Sequence, residues 1–379
     1  TLFVATASDL FVETALDLQA GTVNFGNLGS SQLRVGGSLT SAQAVAWGSG
    51  YIDMDGTTSV QGPGGATAYL NRLRFKSGVC TLATPVEIAS WVGSSGGAVA
   101  GEWIELNGPA AFLSSGGGPL HKVRLTGGQV FAFNATVDEF ELTGGTLQVI
   151  SGQTLTVEER ADLSAGTIQW NSQTTARFVV TGDLISSPAV TFGNGFIEMS
   201  GTTTISGPGG APARVGSVRI AAGTCTLLTP VGIDQNLAAT GGTTTGEWFE
   251  MLGTNTTLDG PASGGTALAK VRVAGGRCVA DSGSIGALEL TGGILEVPQN
   301  KTLVVTGNAE LLGGQLEFSG TGGCALDVLG DVHQVATGKA VTMNANGNLR
   351  CSGVWTADAA LDLGASYVEF AGTSSITGA

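Results

Sequence analysis

A short beat recurs along this chain of 379 residues: an apolar–x–apolar triplet, a small pair rich in glycine, then x–apolar–x–apolar. Instances are LQAGTVNF, FKSGVCTL, LTGGTLQV, LSAGTIQW, IAAGTCTL, LTGGILEV and LLGGQLEF. The glycine before the second triplet falls at positions 21, 50, 78, 101, 128, 145, 166, 195, 223, 246, 276, 293 and 314, at intervals of 17 to 30 that average about 24. Alternation of period two marks strands with one buried face. Hairpin dipeptides such as Asn-Gly are few, and no capped stretch of helical period stands out. One such beat cannot bury its own apolar face, whereas a stack of them buries a continuous core. The pattern therefore predicts an all-β fold, a parallel β-helix (β-solenoid) with coils of about 24 residues, each lying about 4.8 Å above the last. Glycines would stand at the corners, where φ is positive or neighbouring backbones crowd together. An array of β-sandwich domains is the competing architecture, but a sandwich needs no glycine-corner beat within the domain.

The beat sits inside a longer duplication. GSGYIDMDGTTSVQGPGG at Gly48–Gly65 returns as GNGFIEMSGTTTISGPGG at Gly193–Gly210, an offset of 145, and a frayed third copy occupies Ala365–Ala379. Gly101-Glu-Trp-Ile-Glu-Leu matches Gly246-Glu-Trp-Phe-Glu-Met at the same offset, which grows to 148 where LHKVRLTGG (Leu120–Gly128) matches LAKVRVAGG (Leu268–Gly276). We expect one continuous solenoid over residues 1–379, with long repeats at about 1–50 (partial), 51–195, 196–366 and 367–379 (partial). The last copy stops at Thr377-Gly-Ala, where the others run on into Gly-Pro-Gly-Gly, and no leader peptide opens the chain. The expectation is a piece of a longer protein or end-to-end self-association through open strand edges.

Composition narrows the function. Charged residues make up 12% of the chain, about half the usual share, and the formal net charge of −14 opposes nucleic-acid binding, which needs a basic patch. No apolar run reaches transmembrane length. The five cysteines, Cys80, Cys225, Cys278, Cys324 and Cys351, are too widely spaced for a zinc motif or a disulfide framework. They read as buried thiols acting as small hydrophobes.

The alternation assigns faces. After the corner, Val23/Phe25, Ile52/Met54, Cys80/Leu82, Ile104/Leu106, Leu147/Val149, Ile168/Trp170 and Ile197/Met199 point inward. Between and beyond these pairs, Asn24, Asp53, Thr81, Glu105, Gln148, Gln169, Glu198, Thr226, Glu250, Glu296, Glu317 and Glu369 form an outward column. The strand before the corner presents Arg74, Arg124, Glu141, Asp162, Arg219, Arg272, Glu289 and Glu310. Arg124 with Glu141, and Arg272 with Glu289, are expected to pair across one coil step, whereas Glu296 and Glu317 would repel. No cofactor is expected. Carboxylates of this kind suit Ca2+, but neither an EF-hand loop nor a GGxGxDxU nonapeptide occurs.

No catalytic or metal-binding residue emerges. Glu102-Trp103 and Glu247-Trp248 are duplicated, as are Arg124 and Arg272, whereas a catalytic centre would be a local exception to the repeat. His121 aligns with Ala269, and His333 stands in an isolated coil. The segments that differ most between copies are Ala83–Ala100 against Leu228–Thr245, and Asn107–Leu120 against Gly253–Leu268. Their Gly, Ser and Pro content predicts loops leaving the stack, where recognition commonly resides. Trp91, in the first of these, is a candidate sugar-stacking platform. With Trp103 and Trp248 it makes up the candidate recognition set.

The stretches TGGTLQVISGQTLTV and TGGILEVPQNKTLVVTGNAELLGG resemble the β-solenoid repeats of large bacterial surface proteins, autotransporter passengers and filamentous-haemagglutinin-like adhesins. The resemblance is one of repeat style along nearly the whole chain. It implies export, an extracellular or cell-surface location, and work as a stiff structural or adhesive fibre, filament or layer subunit without catalysis. A glycan or another cell-surface ligand would be the partner. A β-helical polysaccharide lyase or hydrolase, or a glycan-binding protein, is the alternative.

Overall fold

The computed structural model describes every residue except 6–7, 27–30, 173–174, 262–267, 321, 335–341, 345–346, 358–365, 372–374 and 379; parts of the closing third copy therefore lie outside the described residues. Strands account for 66% of the chain and helix for 2%, and the strands pair in parallel between stacked coils about 21 residues apart. The architecture is a parallel β-solenoid of about 16 turns, as the alternation requires. It divides into two compact units, Thr1–Gly182 with Ala189–Gly195, and Asp183–Pro188 with Phe196–Ala379.

In the first unit, one row of strands runs from Gln32–Val35 through Tyr51–Asp55, Ala68–Ser77, Val86–Ser94 and Ala111–Ser115 to Gln129–Phe133. A second row starts from the other end of the bent strands Ala68–Ser77 and Val86–Ser94. It continues through Ile104–Leu106, Leu120–Leu125 and Ala135–Leu142 to Thr154–Leu163. The inward residues close over an apolar interior: Leu73, Val92 and Leu113 of the first row, and Ile104, Val123 and Leu142 of the second, are all 0% exposed. The second unit repeats the scheme in Phe249–Met251, Leu268–Val273, Arg277–Leu290, Ala309–Leu311 and Val332–Gln334.

The coil step of about 21 residues is shorter than the 24-residue mean of the glycine series because that series threads more than one corner. Ile52 pairs with Leu73, whereas Cys80 pairs with Thr58, so Gly50 and Gly78 belong to different corners. Gly56 (φ 104°) and Gly78 (φ 68°) are stacked at the same one, and a Cβ on Gly78 would lie 2.4 Å from the Gly56 carbonyl oxygen. Gly50 serves another purpose. A Cβ there would lie 2.1 Å from the Phe25 ring, and one on Gly195 would lie 2.3 Å from the Trp170 ring. Phe25 and Trp170, expected inside, are accordingly half-exposed rings lying over these glycines.

The two expected outward columns consequently merge. Asp53, Glu105, Glu198 and Glu250 register directly with Arg74, Arg124, Arg219 and Arg272. The expected loops are corrected as well. Val86–Ser94, Ala98–Gly101 and Ala111–Ser115 are strands within the stack, as are Val231–Ala239, Gly242–Gly246 and Asn255–Asp259, while residues 262–267 of the expected Gly253–Leu268 loop lie outside the described residues. Inward Val86, Ile88 and Val92 are fully buried, and their backbone is paired on both sides by neighbouring coils, so the Gly and Ser content does not take these segments out of the stack. Gly-Pro-Gly-Gly, by contrast, does form a turn. Pro63–Gly65 and Pro208–Gly210 are single 3-10 turns, and the preceding Gly62 and Gly207 amides each donate to the hydroxyl of Thr84 or Thr229 at 2.9 Å. The Thr-Pro dipeptide of one coil thus anchors the turn of the coil before.

Candidate functional site

The charged residues of each unit are arranged as ladders that climb the coils. In the first unit Glu105, Arg124, Glu141 and Asp162 are successive register partners. Arg124 donates to Glu141 at 2.5 Å and to Glu105 at 3.3 Å, Lys122 meets Glu139 at 3.2 Å, and Arg160 meets Asp162 at 2.7 Å. The second unit builds the same ladder. Arg272 binds Glu289 at 3.0 Å and Glu250 at 2.5 Å, and hydrogen bonding to Glu289 holds its guanidinium firmly charged. Both pairs expected across one coil step are present. Glu296 and Glu317 do not stand as a bare repelling pair, because Arg277 reaches both, at 2.7 and 3.0 Å. That bond keeps the Glu296 carboxyl below the usual carboxylate range.

Trp103 and Trp248 are part of these ladders. The Arg124 guanidinium lies 4.4 Å from the Trp103 ring centre with Lys122 at 5.8 Å, and Arg272 lies 5.0 Å from Trp248 with Lys270 at 5.9 Å. Cation–π contacts of this kind orient the arginine between its two carboxylates. Around Trp103 the side chains of Arg124, Glu139, Glu141, Arg160 and Asp162 line an open groove of about 240 Å³. Acidic groups converge there, and each meets a cation. The register equivalents of Glu139 and Arg160 in the second unit are Ala287 and Asn308.

Trp91 stands on the strand Val86–Ser94, not in a loop. Its ring meets Tyr51 edge-on with centres 5.1 Å apart, and it is half-buried on the outer surface of the sheet. The three candidate tryptophans are therefore not one site. Trp103 lies against the second strand row and Trp91 on the first, while Trp248 belongs to the other unit.

His121 Nδ1 lies 3.0 Å from Asp138, and His333 Nδ1 lies 2.9 Å from Glu310. Neither histidine stands beside a nucleophile in these contacts. The five cysteines are all buried as free thiols; burial pushes Cys80 and Cys225 up to about 11 and Cys278 to about 12. Among the described residues no three His, Cys, Asp or Glu side chains gather as a metal site, and no helix is long and apolar enough to cross a membrane. No family model matches the chain, and neither does any curated protein or solved structure.

Proposed function

We propose that the chain is a non-catalytic solenoid of the bacterial cell exterior, serving as a stiff structural or adhesive fibre, filament or layer subunit. The observation that carries this reading is the duplicated ladder. Glu105–Arg124–Glu141 with Trp103, and Glu250–Arg272–Glu289 with Trp248, place the same charges in the same contacts in both units. The charged residues of the ladder are engaged with one another from coil to coil. They hold register, since each arginine meets its carboxylates only with the coils in this alignment. The style of the glycine-cornered repeat supports surface display. Negative-stain imaging of the purified chain tests the assembly, with fibres or layers as the expected result and monodisperse particles at all concentrations as the adverse one.

One observation favours a second reading, a glycan-active enzyme: Glu139, Glu141 and Asp162 converge in the Trp103 groove. A glycosidase needs one carboxyl that holds a proton and a second that is ionised, whereas here Lys122, Arg124 and Arg160 each engage one of the three. A reducing-end assay on a panel of acidic and neutral polysaccharides separates the readings. Product release that Glu141→Gln abolishes would establish the enzyme and overturn the proposal.

A further inference from the structure

An aromatic row runs up the outer surface of the first unit. Arg72, Trp91, Phe112 and Phe131 are Cα partners on four successive coils, and Tyr51 stands on the coil before them. All five side chains are half-buried on a face that alternation assigns to solvent. Phe112 stacks on Phe131 with centres 5.3 Å apart and leans against Phe133 at 5.7 Å. A Cβ on Gly93 would come within 2.6 Å of the Trp91 indole, so the missing side chain leaves room for that ring to lie along the sheet.

Stacking of the coils does not demand this row. The same positions in the second unit are Phe196, Ser217, Asn236, Thr257 and Val279, and there Ser217, Asn236, Thr257 and Val279 keep the same register. The Asn236 amide donates to Ser217 at 3.0 Å, and the Thr257 hydroxyl binds the Asn236 carbonyl oxygen. One copy of the scaffold thus closes this column with polar contacts, and the other exposes a continuous band of rings. Scattered exposed apolar residues are ordinary, but a contiguous band marks an interaction surface.

The charge on the band identifies the occupant. Arg34 is engaged by Asp55 and Arg74 by Asp53. Arg72 lies 5.4 Å from the Tyr51 ring centre and reaches Ser90 at 3.4 Å, and it has no carboxylate within ion-pair distance among the described residues. An unneutralised cation inside an aromatic row is notable in a chain of net charge −14. The geometry points to a docking surface for an acidic polysaccharide, an extended chain of pyranose rings bearing carboxylates. The C–H face of a sugar would lie on the electron-rich face of the Trp91 indole, beside the stacked Phe112 and Phe131 rings, and a uronate would meet Arg72. The proposal is independent of whether the chain assembles into fibres.

The test is calorimetric titration of the full chain with polygalacturonate oligosaccharides, with cello-oligosaccharides of the same length as the neutral arm. Saturable binding of the uronate series, with much weaker binding of the neutral series, is expected. The double variant Trp91→Asn/Phe112→Thr installs the residues that the second unit already carries, so the scaffold tolerates them; circular dichroism and the unfolding midpoint check this. It should weaken uronate binding by about tenfold or more, and Arg72→Ser should abolish the preference for acidic over neutral chains. No saturable uronate binding, equal affinity for both series, or an unaltered double variant would each overturn the proposal. So would a concentration-dependent dimer, seen by light scattering, that the double variant abolishes, because the occupant would then be a second copy of this chain.

Discussion

Removing the guanidinium of Arg74 should leave a carboxylate stranded in the wall of the solenoid. Asp53 is 0% exposed, and Arg74 grips it with two bonds, Nε to Oδ1 at 2.8 Å and Nη2 to Oδ2 at 2.7 Å. Lys76 is the second cation nearby, 3.8 Å from the same carboxylate. Breaking a buried pair by deleting one partner costs about 3–5 kcal/mol. The Arg74 side chain is 24% exposed and Lys76 remains, so the cost falls below that range, to about 2–3 kcal/mol. For a unit of this size that corresponds to a fall of roughly 4–12 °C in the unfolding midpoint. Arg74→Met keeps the aliphatic stem and removes only the charge. The second unit supplies an internal comparison: Arg219 meets Glu198 at the longer distance of 3.2 Å, with the carboxylate side chain 7% exposed, so Arg219→Met should cost less. Urea unfolding of Arg74→Met, Asp53→Asn and the double variant completes a cycle. The double variant should recover most of the loss, since it leaves no buried charge. A cost below about 0.5 kcal/mol for Arg74→Met, or a double variant no more stable than the single, would show that the pair is not what holds this coil.

The stacked corners give a second prediction. Gly223→Ala puts a Cβ on a residue at φ 74° and 2.1 Å from the Gly201 carbonyl oxygen. It should destabilise by more than about 2 kcal/mol in the same assay, whereas Gly64→Ala, with φ 61° and open space around it, should cost about 1–2 kcal/mol from conformation alone. Acid should weaken the fold. The Ser77 hydrogen bond, with Arg34, holds Asp55 below its ordinary value of 3.8, and Arg277 holds Glu296 below 4.5. Folded values lower than unfolded ones add stability that is complete above the ordinary carboxylate range and lost as pH falls through the depressed values. Unfolding free energies that stay flat from pH 6 down to about 3 would contradict this. Thiols pushed up to about 11 and 12 by burial should resist a disulfide reagent at neutral pH. All five cysteines should react promptly once the chain is unfolded in urea; prompt labelling of Cys80 or Cys225 in the native protein would contradict their burial.

The sequence by itself determined the class of fold. Apolar alternation at Ile104/Leu106 or Leu147/Val149 admits only a strand with one face inward, and a beat too short to bury that face alone must stack. It also announced the Arg124–Glu141 and Arg272–Glu289 pairs, because a repeat fixes which residues lie one coil apart. Tertiary structure decided the register between corners. Gly50 and Gly78 look alike in the chain, yet one makes room for the Phe25 ring and the other stacks at positive φ on Gly56. Misassigning them set Asp53 and Glu105 in a different column from the arginines they meet. The same uncertainty hid the aromatic row, since Tyr51, Trp91, Phe112 and Phe131 lie 19 to 40 residues apart in sequence. A strand's inward pattern is local, carried by residues two apart. Its outward neighbours belong to other coils, and only inter-coil hydrogen bonding decides which residues those are.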